Sequence, residues 1–220
     1  MLKTGKADKD QTVSNAQFAT EQEEFWAGTF GDEYTARNDG AGIIASNTAL
    51  FSKVLARIGK LESIIEFGCN QGLNLKALRV LAPEAKLAGI EINKSAAQKL
   101  EKDMGIKVFN TSLLDFDIKE KYDLAIAKVV LIHINPDELP KVYAKLYEAS
   151  KKYIFVCEYY NPVPVAIPYR GHENKLFKRD FACEIMEKYP DLELVDYGFC
   201  YRNDPAFPMD DMNWFLLKKS

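Results

Sequence analysis

The sequence predicts an α/β fold built on a mostly parallel sheet of about seven strands. Three observations carry this expectation. Short apolar runs alternate with stretches of helical spacing from Ser63 onward. A glycine-bearing turn, Glu66-Phe67-Gly68-Cys69-Asn70-Gln71-Gly72, joins the first run to the helical stretch behind it. An acidic residue closes the second run, in Gly89-Ile90-Glu91-Ile92. Strands alternating with helices make βαβ units with right-handed crossovers. Such sheets bind ligands at the carboxyl ends of their strands, near the switch in strand order.

The elements follow in order. Residues Glu21 to Asn38 are aromatic-rich and broken by Gly28 and Gly31, which predicts a short helical or irregular segment before the main fold. From Ala45 to Ile58 the apolar residues Leu50, Val54, Leu55 and Ile58 recur at helical spacing, and Gly59 is the expected stop. Ser63 to Phe67 is a first buried strand. Leu73 to Leu81 is a helix closed by Pro83, and Lys86 to Ile92 a second strand. Ser95 to Met104 is a helix ended by Gly105, and Lys107 to Ser112 a third strand. The run Tyr122 to Leu131 contains a fourth. Pro136 to Ser150 is helical and Tyr153 to Tyr159 a fifth strand. Phe181 to Tyr189 is a helix, Leu192 to Phe199 a sixth strand and Asn213 to Lys219 a seventh.

Composition bounds the reading. The chain has 220 residues, 47% of them hydrophobic, which suits one domain, here 21–220, behind a polar, flexible leader over 1–20. Within it, 21–44 is expected to cover the ligand site and 160–180 to form an insertion beside it. The net charge of -3 gives no global basic field for nucleic acid. No apolar run approaches the ~20 residues that cross a bilayer, and the N-terminus lacks the apolar centre of a signal peptide. A cytoplasmic protein with no membrane partner is expected. Cys69, Cys157, Cys183 and Cys200 form no Cys-x-x-Cys pair or zinc-ligand spacing, so no metal site is expected.

In the loop after the first strand, Gly68 can take the tight turn and Gly72 can open the helix, whose N-terminus offers free N–H groups. A phosphate-binding loop needs G-x-x-x-x-G-K-[ST], which is absent. A dinucleotide loop needs G-x-G-x-x-G, but Asn70 and Leu73 stand where glycines would be. The Glu66 carboxylate would repel a pyrophosphate and suits an ammonium group instead. S-adenosylmethionine carries an α-amino group and a sulfonium, both favoured by an acidic, glycine-lined pocket. An acid such as Glu91, about 20 residues beyond a glycine loop, can hydrogen-bond both ribose hydroxyls.

Together EFGCNQG and GIEIN resemble the first two motifs of the class I, Rossmann-like methyltransferases, over roughly Ile64 to Tyr160. The resemblance implies a doubly wound sheet with an antiparallel C-terminal strand and S-adenosylmethionine as cofactor. It implies that Glu66, Gly68, Asn70 and Gly72 surround the methionine part, that Glu91 holds the ribose and that Ile92 stacks on the adenine. At the end of the third strand the family often has an acid; this sequence has Ser112, then Leu113. The segment Asp123 to Ile134 looks like the family segment ending in an apolar–His–apolar step, which places Lys128 to Leu131 along the cofactor and His133 near the transferred methyl. Glu23 to Asn38 and Tyr159 to Phe181 look like the methylases associated with pseudaminic acid biosynthesis, a bacterial group linked to nine-carbon, sialic-acid-like surface sugars. The acceptor is then a small molecule, a nonulosonic sugar or its precursor.

Methyl transfer needs acceptor and methyl held close and aligned, with water excluded. A nitrogen acceptor needs little more than a neutral lone pair, whereas a hydroxyl benefits from a general base. The base candidates are His133, His172 and Glu158. Trp26, Tyr34 and Arg37 are expected to fold over the cofactor, and Tyr160, Tyr169 and Arg170 to face the acceptor, with Arg170 matched to a carboxylate. Two other readings stand beside this one. A nicotinamide-dependent sugar reductase or epimerase would want a glycine near Leu73 and usually a Tyr-x-x-x-Lys pair, which Tyr143 to Tyr147 does not supply. A non-catalytic S-adenosylmethionine-binding partner of a sugar biosynthetic assembly would be silent to mutation of His133 and His172. A nucleic-acid methyltransferase is disfavoured, since no Asn-Pro-Pro-Tyr or Asp-Pro-Pro-Tyr follows the fourth strand.

Overall fold

The computed structural model describes residues 18–37 and 40–220, so most of the 1–20 leader lies outside the described residues. Two short helices come first, α1 (Glu21–Ala27) and α2 (Thr29–Arg37), then a long one, α3 (Ala41–Ile58). Thr20 and Glu23 form a reciprocal capping box at the start of α1. Five strands and three helices follow: β1 (Ser63–Phe67), α4 (Leu73–Leu81), β2 (Lys86–Ile90), α5 (Lys94–Met104), β3 (Lys107–Phe109), then β4 (Tyr122–Lys128) with no helix between it and β3, α6 (Leu139–Ala149) and β5 (Ser150–Glu158). A two-stranded hairpin, β6 (Val165–Ala166) and β7 (Phe177–Lys178), precedes α7 (Phe181–Lys188), β8 (Leu192–Cys200) and β9 (Met212–Lys219).

The main sheet has seven strands in the order β3-β2-β1-β4-β5-β9-β8. Neighbours from β3 through β5 pair in parallel, and β9 runs antiparallel to both β5 and β8. This is the doubly wound sheet with an antiparallel C-terminal strand. Every residue of β1 is buried, because both faces of the sheet are covered. Side chains alternate between two cores. Ile65, Ala125, Ala127 and Ile154 face one core with Val142 and Leu146 of α6 and Ile185 of α7. Ile64, Leu124, Ile126 and Phe155 face the other with Phe51 and Val54 of α3 and Leu75 and Leu78 of α4. Burying each such Leu, Ile or Phe contributes about 1.5–3 kcal/mol, so these stripes hold the helices on the sheet.

Strand and helix ends depart from the sequence expectations for local reasons. The third strand stops at Phe109 instead of Ser112, because the Ser112 hydroxyl turns back to accept the Leu114 N–H at 3.0 Å. The second strand stops at Ile90, which puts Glu91 and Ile92 in the loop beyond it. The fourth ends at Lys128, where Val129 takes φ +56. The helix expected from Ala45 begins at Ala41. A 3₁₀ turn at Pro136–Glu138 precedes α6, since proline favours a first turn and cannot donate inside a helix. Among the described residues no helix is long and apolar enough to cross a membrane.

Candidate active site

The order of strands reverses between β1 and β4, which opens a crevice at their carboxyl ends. Gly68, just beyond β1, takes φ +68, and a Cβ there would lie 2.4 Å from Cγ2 of Val130. Only glycine allows that backbone shape and that approach of the β1 loop to the β4 loop. Asn70 takes φ 46, and its Oδ1 accepts the Gln71 N–H at 2.6 Å and the Thr35 hydroxyl at 3.0 Å. Asparagine tolerates this left-handed conformation better than most residues, so the loop keeps its shape without a central glycine. Gly72 is left-handed at the N-cap of α4.

Glu91 links this loop to the end of β2. Its carboxylate accepts the Asn70 N–H and the Asn93 N–H, each at 2.7 Å. Burial raises its pKa, and the backbone N–H groups of Asn93, Asn70 and Ile92 offset part of that rise. Glu66, at the end of β1, accepts one hydrogen bond from Asn74 at 2.5 Å. Burial pushes its pKa up to about 8 against the opposing pull of Asn74 and Lys128.

A cavity of about 490 Å³ occupies the crevice. Glu66, Gly68, Asn70, Glu91 and Ile92 line it from β1 and β2, with Ser112 and Leu113 from the turn after β3. Lys128 and His133 line it from the β4 side, and Trp26 and Tyr34 from α1 and α2. Among the described residues six buried side-chain atoms have no hydrogen-bond partner: Oε1 of Gln22, Nε1 of Trp26, Oδ1 of Asn47, Oε2 of Glu66, Oδ1 of Asn74 and Oε2 of Glu158. All but the last belong to residues that line this cavity. Buried polar groups are normally paired, so walls with this many open partners fit a polar ligand.

On the β4 side, a 3₁₀ turn (Leu131–His133) presents the histidine. Nδ1 of His133 lies 2.6 Å from the Lys175 carbonyl oxygen. A carbonyl only accepts, so Nδ1 carries the proton and Nε2 holds a bare lone pair. Burial lowers the pKa of His133 to about 4, against the pull of that carbonyl. Its ring packs between Trp26, with centroids 4.5 Å apart, and Tyr169, at 5.0 Å.

Helices α1 and α2 roof the cavity. Asp32 accepts from Asn93 at 2.9 Å and from Ser95 at 2.6 Å, and Glu23 accepts from Ser112. Toward the hairpin, Gln22 donates to the Asn174 carbonyl at 2.9 Å, and Lys175 pairs with Glu21 at 3.2 Å. Gly31 is required here, because a Cβ would meet the Trp26 carbonyl oxygen at 2.0 Å.

Several sequence candidates lie outside the lining. Arg37 is exposed, pairing with Glu33 at 3.4 Å and lying over the Phe30 ring. Glu158 turns inward, where one carboxylate oxygen accepts the N–H of Val130 at 3.0 Å and of Leu131 at 2.9 Å. Burial raises its pKa to about 7. Leu131 packs in the core. His172 is exposed and packs on Phe25, with centroids 4.9 Å apart. Tyr160 is exposed near Phe215, and Arg170 lies over the ring of Tyr169. Sequence reading missed the loop between β8 and β9, which contributes Arg202, Met209 and Asp210 to the wall, and Asn47 of α3. It also missed Glu23, although the pattern Thr20-x-x-Glu23 was there to be read as a capping box.

Residues 64–152 match the family model described as a methyltransferase domain. This chain carries a class I S-adenosylmethionine-dependent methyltransferase domain. The methyltransferase shares its fold with a magnesium protoporphyrin IX methyltransferase from Synechocystis PCC 6803, solved with bound S-adenosylmethionine. The TM-score is 0.66 at 14% identity, over 92% of this chain and 99% of that one. A Burkholderia thailandensis 1,6-didemethyltoxoflavin N1-methyltransferase aligns with TM-score 0.68 at 12% identity, over 90% and 87% of the two chains. An amino pentose methyltransferase from Micromonospora echinaspora aligns with TM-score 0.62 at 10% identity, over 87% and 96%. No curated protein matches the chain. The methyltransferase cavity suits its cofactor, S-adenosylmethionine: its volume lies within the range of small-molecule sites, and the acids Glu66 and Glu91 are among its lining residues.

Proposed function

We propose that this methyltransferase modifies a small-molecule acceptor, a nonulosonic sugar or its precursor. The supporting observation is the acid-lined cavity at the sheet's switch point, with open polar partners on its walls and the Nε2 lone pair of His133 on its β4 side. The sugar acceptor is supported by the resemblance of Glu23 to Asn38 and Tyr159 to Phe181 to pseudaminic-acid-associated methylases. The first of these segments supplies Glu23, Trp26, Gly31 and Tyr34 to the cavity wall. The amino pentose methyltransferase shows that this fold handles sugars elsewhere.

In this proposal Glu66, Gly68, Asn70 and Gly72 surround the methionine part of the cofactor, and Glu91 holds the ribose. Ile92, Ser112 and Leu113 lie along the adenine. Lys128 and the backbone to Leu131 flank the cofactor, with Trp26 and Tyr34 above it. When bound, S-adenosylmethionine supplies an electrophilic methyl group. The chain's own part is to align the acceptor and exclude water. Nε2 of His133 accepts a hydrogen bond from the acceptor's O–H or N–H and so turns a lone pair toward the methyl. Glu158 positions that turn by holding the Val130 and Leu131 N–H groups. The test is incubation of the purified protein with S-adenosylmethionine and a panel of free and nucleotide-activated nonulosonic sugars and their precursors. Formation of S-adenosylhomocysteine with a methylated sugar supports the proposal. Turnover confined to non-sugar acceptors would overturn the sugar part.

A further inference from the structure

We propose that the methyl acceptor is an amine, held as its ammonium form beside the Asp210 carboxylate and the rings of Trp26 and Tyr34, which line the same cavity. This rests on the methyltransferase reading and narrows its acceptor. Asp210 belongs to the β8–β9 loop and lines the cavity from the side of β5 and β9, away from the β1 and β2 ends that carry Glu66 and Glu91. The hydroxyl of Tyr159, the residue after β5, donates to Oδ2 of Asp210 at 2.7 Å, which fixes the carboxylate and leaves its other oxygen open to a donor.

Two rings, Trp26 and Tyr34, line the cavity together with Asp210. Trp26 lies 5.2 Å from Tyr34 and 6.4 Å from Tyr169, centroid to centroid. Burial first, and charge on Asp210 after it, raise the pKa of both Tyr34 and Tyr159, so these phenols and the carboxylate share one electrostatic neighbourhood. A carboxylate beside aromatic faces attracts an ammonium by charge and by the ring quadrupole together. The rings of Tyr169 and Tyr159 carry the chain's own cations, Arg170 5.8 Å from the one centroid and Lys178 5.4 Å from the other. Asp210 is exposed, so the site has an open mouth beside it, and the buried Nε1 of Trp26 has no partner. An amine acceptor also agrees with His133, whose low pKa makes it a weak base for ionising a hydroxyl.

For transfer, the held amine sheds one proton to water at the mouth. Its nitrogen lone pair then forms the N–CH₃ bond as the S–CH₃ bond of the sulfonium breaks, its electron pair remaining on sulfur. The amine leaves with one more methyl and the cofactor as the thioether.

The experiment uses the full chain saturated with S-adenosylhomocysteine and two ring-matched probes, cyclohexylamine and cyclohexanol. Binding is followed by calorimetry and by the indole N–H signal of Trp26, assigned with Trp26→Phe. The ammonium probe is expected to bind about tenfold more tightly than the alcohol and to shift the Trp26 signal. Asp210→Asn, which keeps size and an acceptor for Tyr159, is expected to abolish that preference while S-adenosylhomocysteine binding is unchanged. Equal binding of the two probes, no Trp26 shift, or a preference that survives Asp210→Asn overturns the proposal. Failure of S-adenosylhomocysteine itself to bind is a different result and overturns the methyltransferase reading beneath it.

Discussion

Glu66 makes cofactor binding depend on pH in a direction that can be worked out beforehand. Burial holds its pKa at about 8, so at neutral pH the carboxyl is mostly protonated. One oxygen accepts from Asn74 and the other has no partner. A cationic ligand placed there favours the ionised form, so binding must expel the proton. Affinity therefore rises with pH until the pH passes the unliganded pKa. The α-amino group of the ligand itself titrates near ~8, so the useful window lies below neutrality. From about pH 5.5 to pH 7.0 the ionised fraction grows about 30-fold, and the association constant should grow by the same factor. At pH 7 about 0.9 proton should leave per ligand bound, read from titration calorimetry in buffers of different ionisation enthalpy. Glu91 lines the same cavity and its pKa is also raised by burial, so the control is Glu66→Gln, which should flatten the profile. A flat profile in the wild-type protein, or a slope that persists in Glu66→Gln, would refute the placement of the cofactor's cation on Glu66.

Other perturbations test the scaffold and the acceptor side. Gly68→Ala adds left-handed strain and a clash with Val130, about 2–5 kcal/mol by urea unfolding, whereas Gly105→Ala, at φ +62 with nothing within 4 Å, should cost about 1–2 kcal/mol. Equal losses would contradict the close approach of the two loops. Glu158→Ala leaves two backbone N–H groups without their acceptor and should cost about 2–5 kcal/mol, while Glu158→Gln keeps an accepting oxygen and should stay within about 1 kcal/mol by thermal unfolding. His133→Phe should slow methyl transfer about 100-fold with S-adenosylmethionine affinity unchanged. Because the His133 pKa sits at about 4, its imidazole signals should titrate there by NMR and leave no inflection in the rate near pH 6.5, the ordinary histidine value.

What could be read from the sequence is what short-range chemistry fixes. The strands of the parallel sheet are buried on both faces, so SIIEF and DLAIA are mostly apolar runs that need no partner to be recognised. Gly68 and Gly72 have left-handed backbones that their residue type advertises, and Glu91 follows a strand at a spacing with physical meaning. Where the reading fell short, the deciding contacts come from far along the chain. Ser112, already turned out of the strand, donates to Glu23 of α1, 89 residues away, a contact that no local pattern announces. Glu158 looked like a strand-end carboxylate open to the acceptor, yet it turns inward because the β4 loop offers it two N–H groups. Arg37 and His172 are exposed, Arg37 pairing with Glu33 on its own helix and His172 packing on Phe25 of α1, and no local pattern announces either orientation. The polar stretch between β8 and β9 carries no motif, and only the pairing of β9 beside β5 brings Asp210 to Tyr159.

The most direct measurement is a calorimetric titration of the purified protein with S-adenosylmethionine at pH 7, repeated with Glu91→Ala after far-UV circular dichroism shows that the variant is folded. Saturable one-site binding to the wild-type protein, lost or weakened at least about tenfold in the variant, is the expected result. No binding to the wild-type protein well above micromolar concentration, or binding that Glu91→Ala leaves untouched, would contradict the assignment of this cavity to the cofactor.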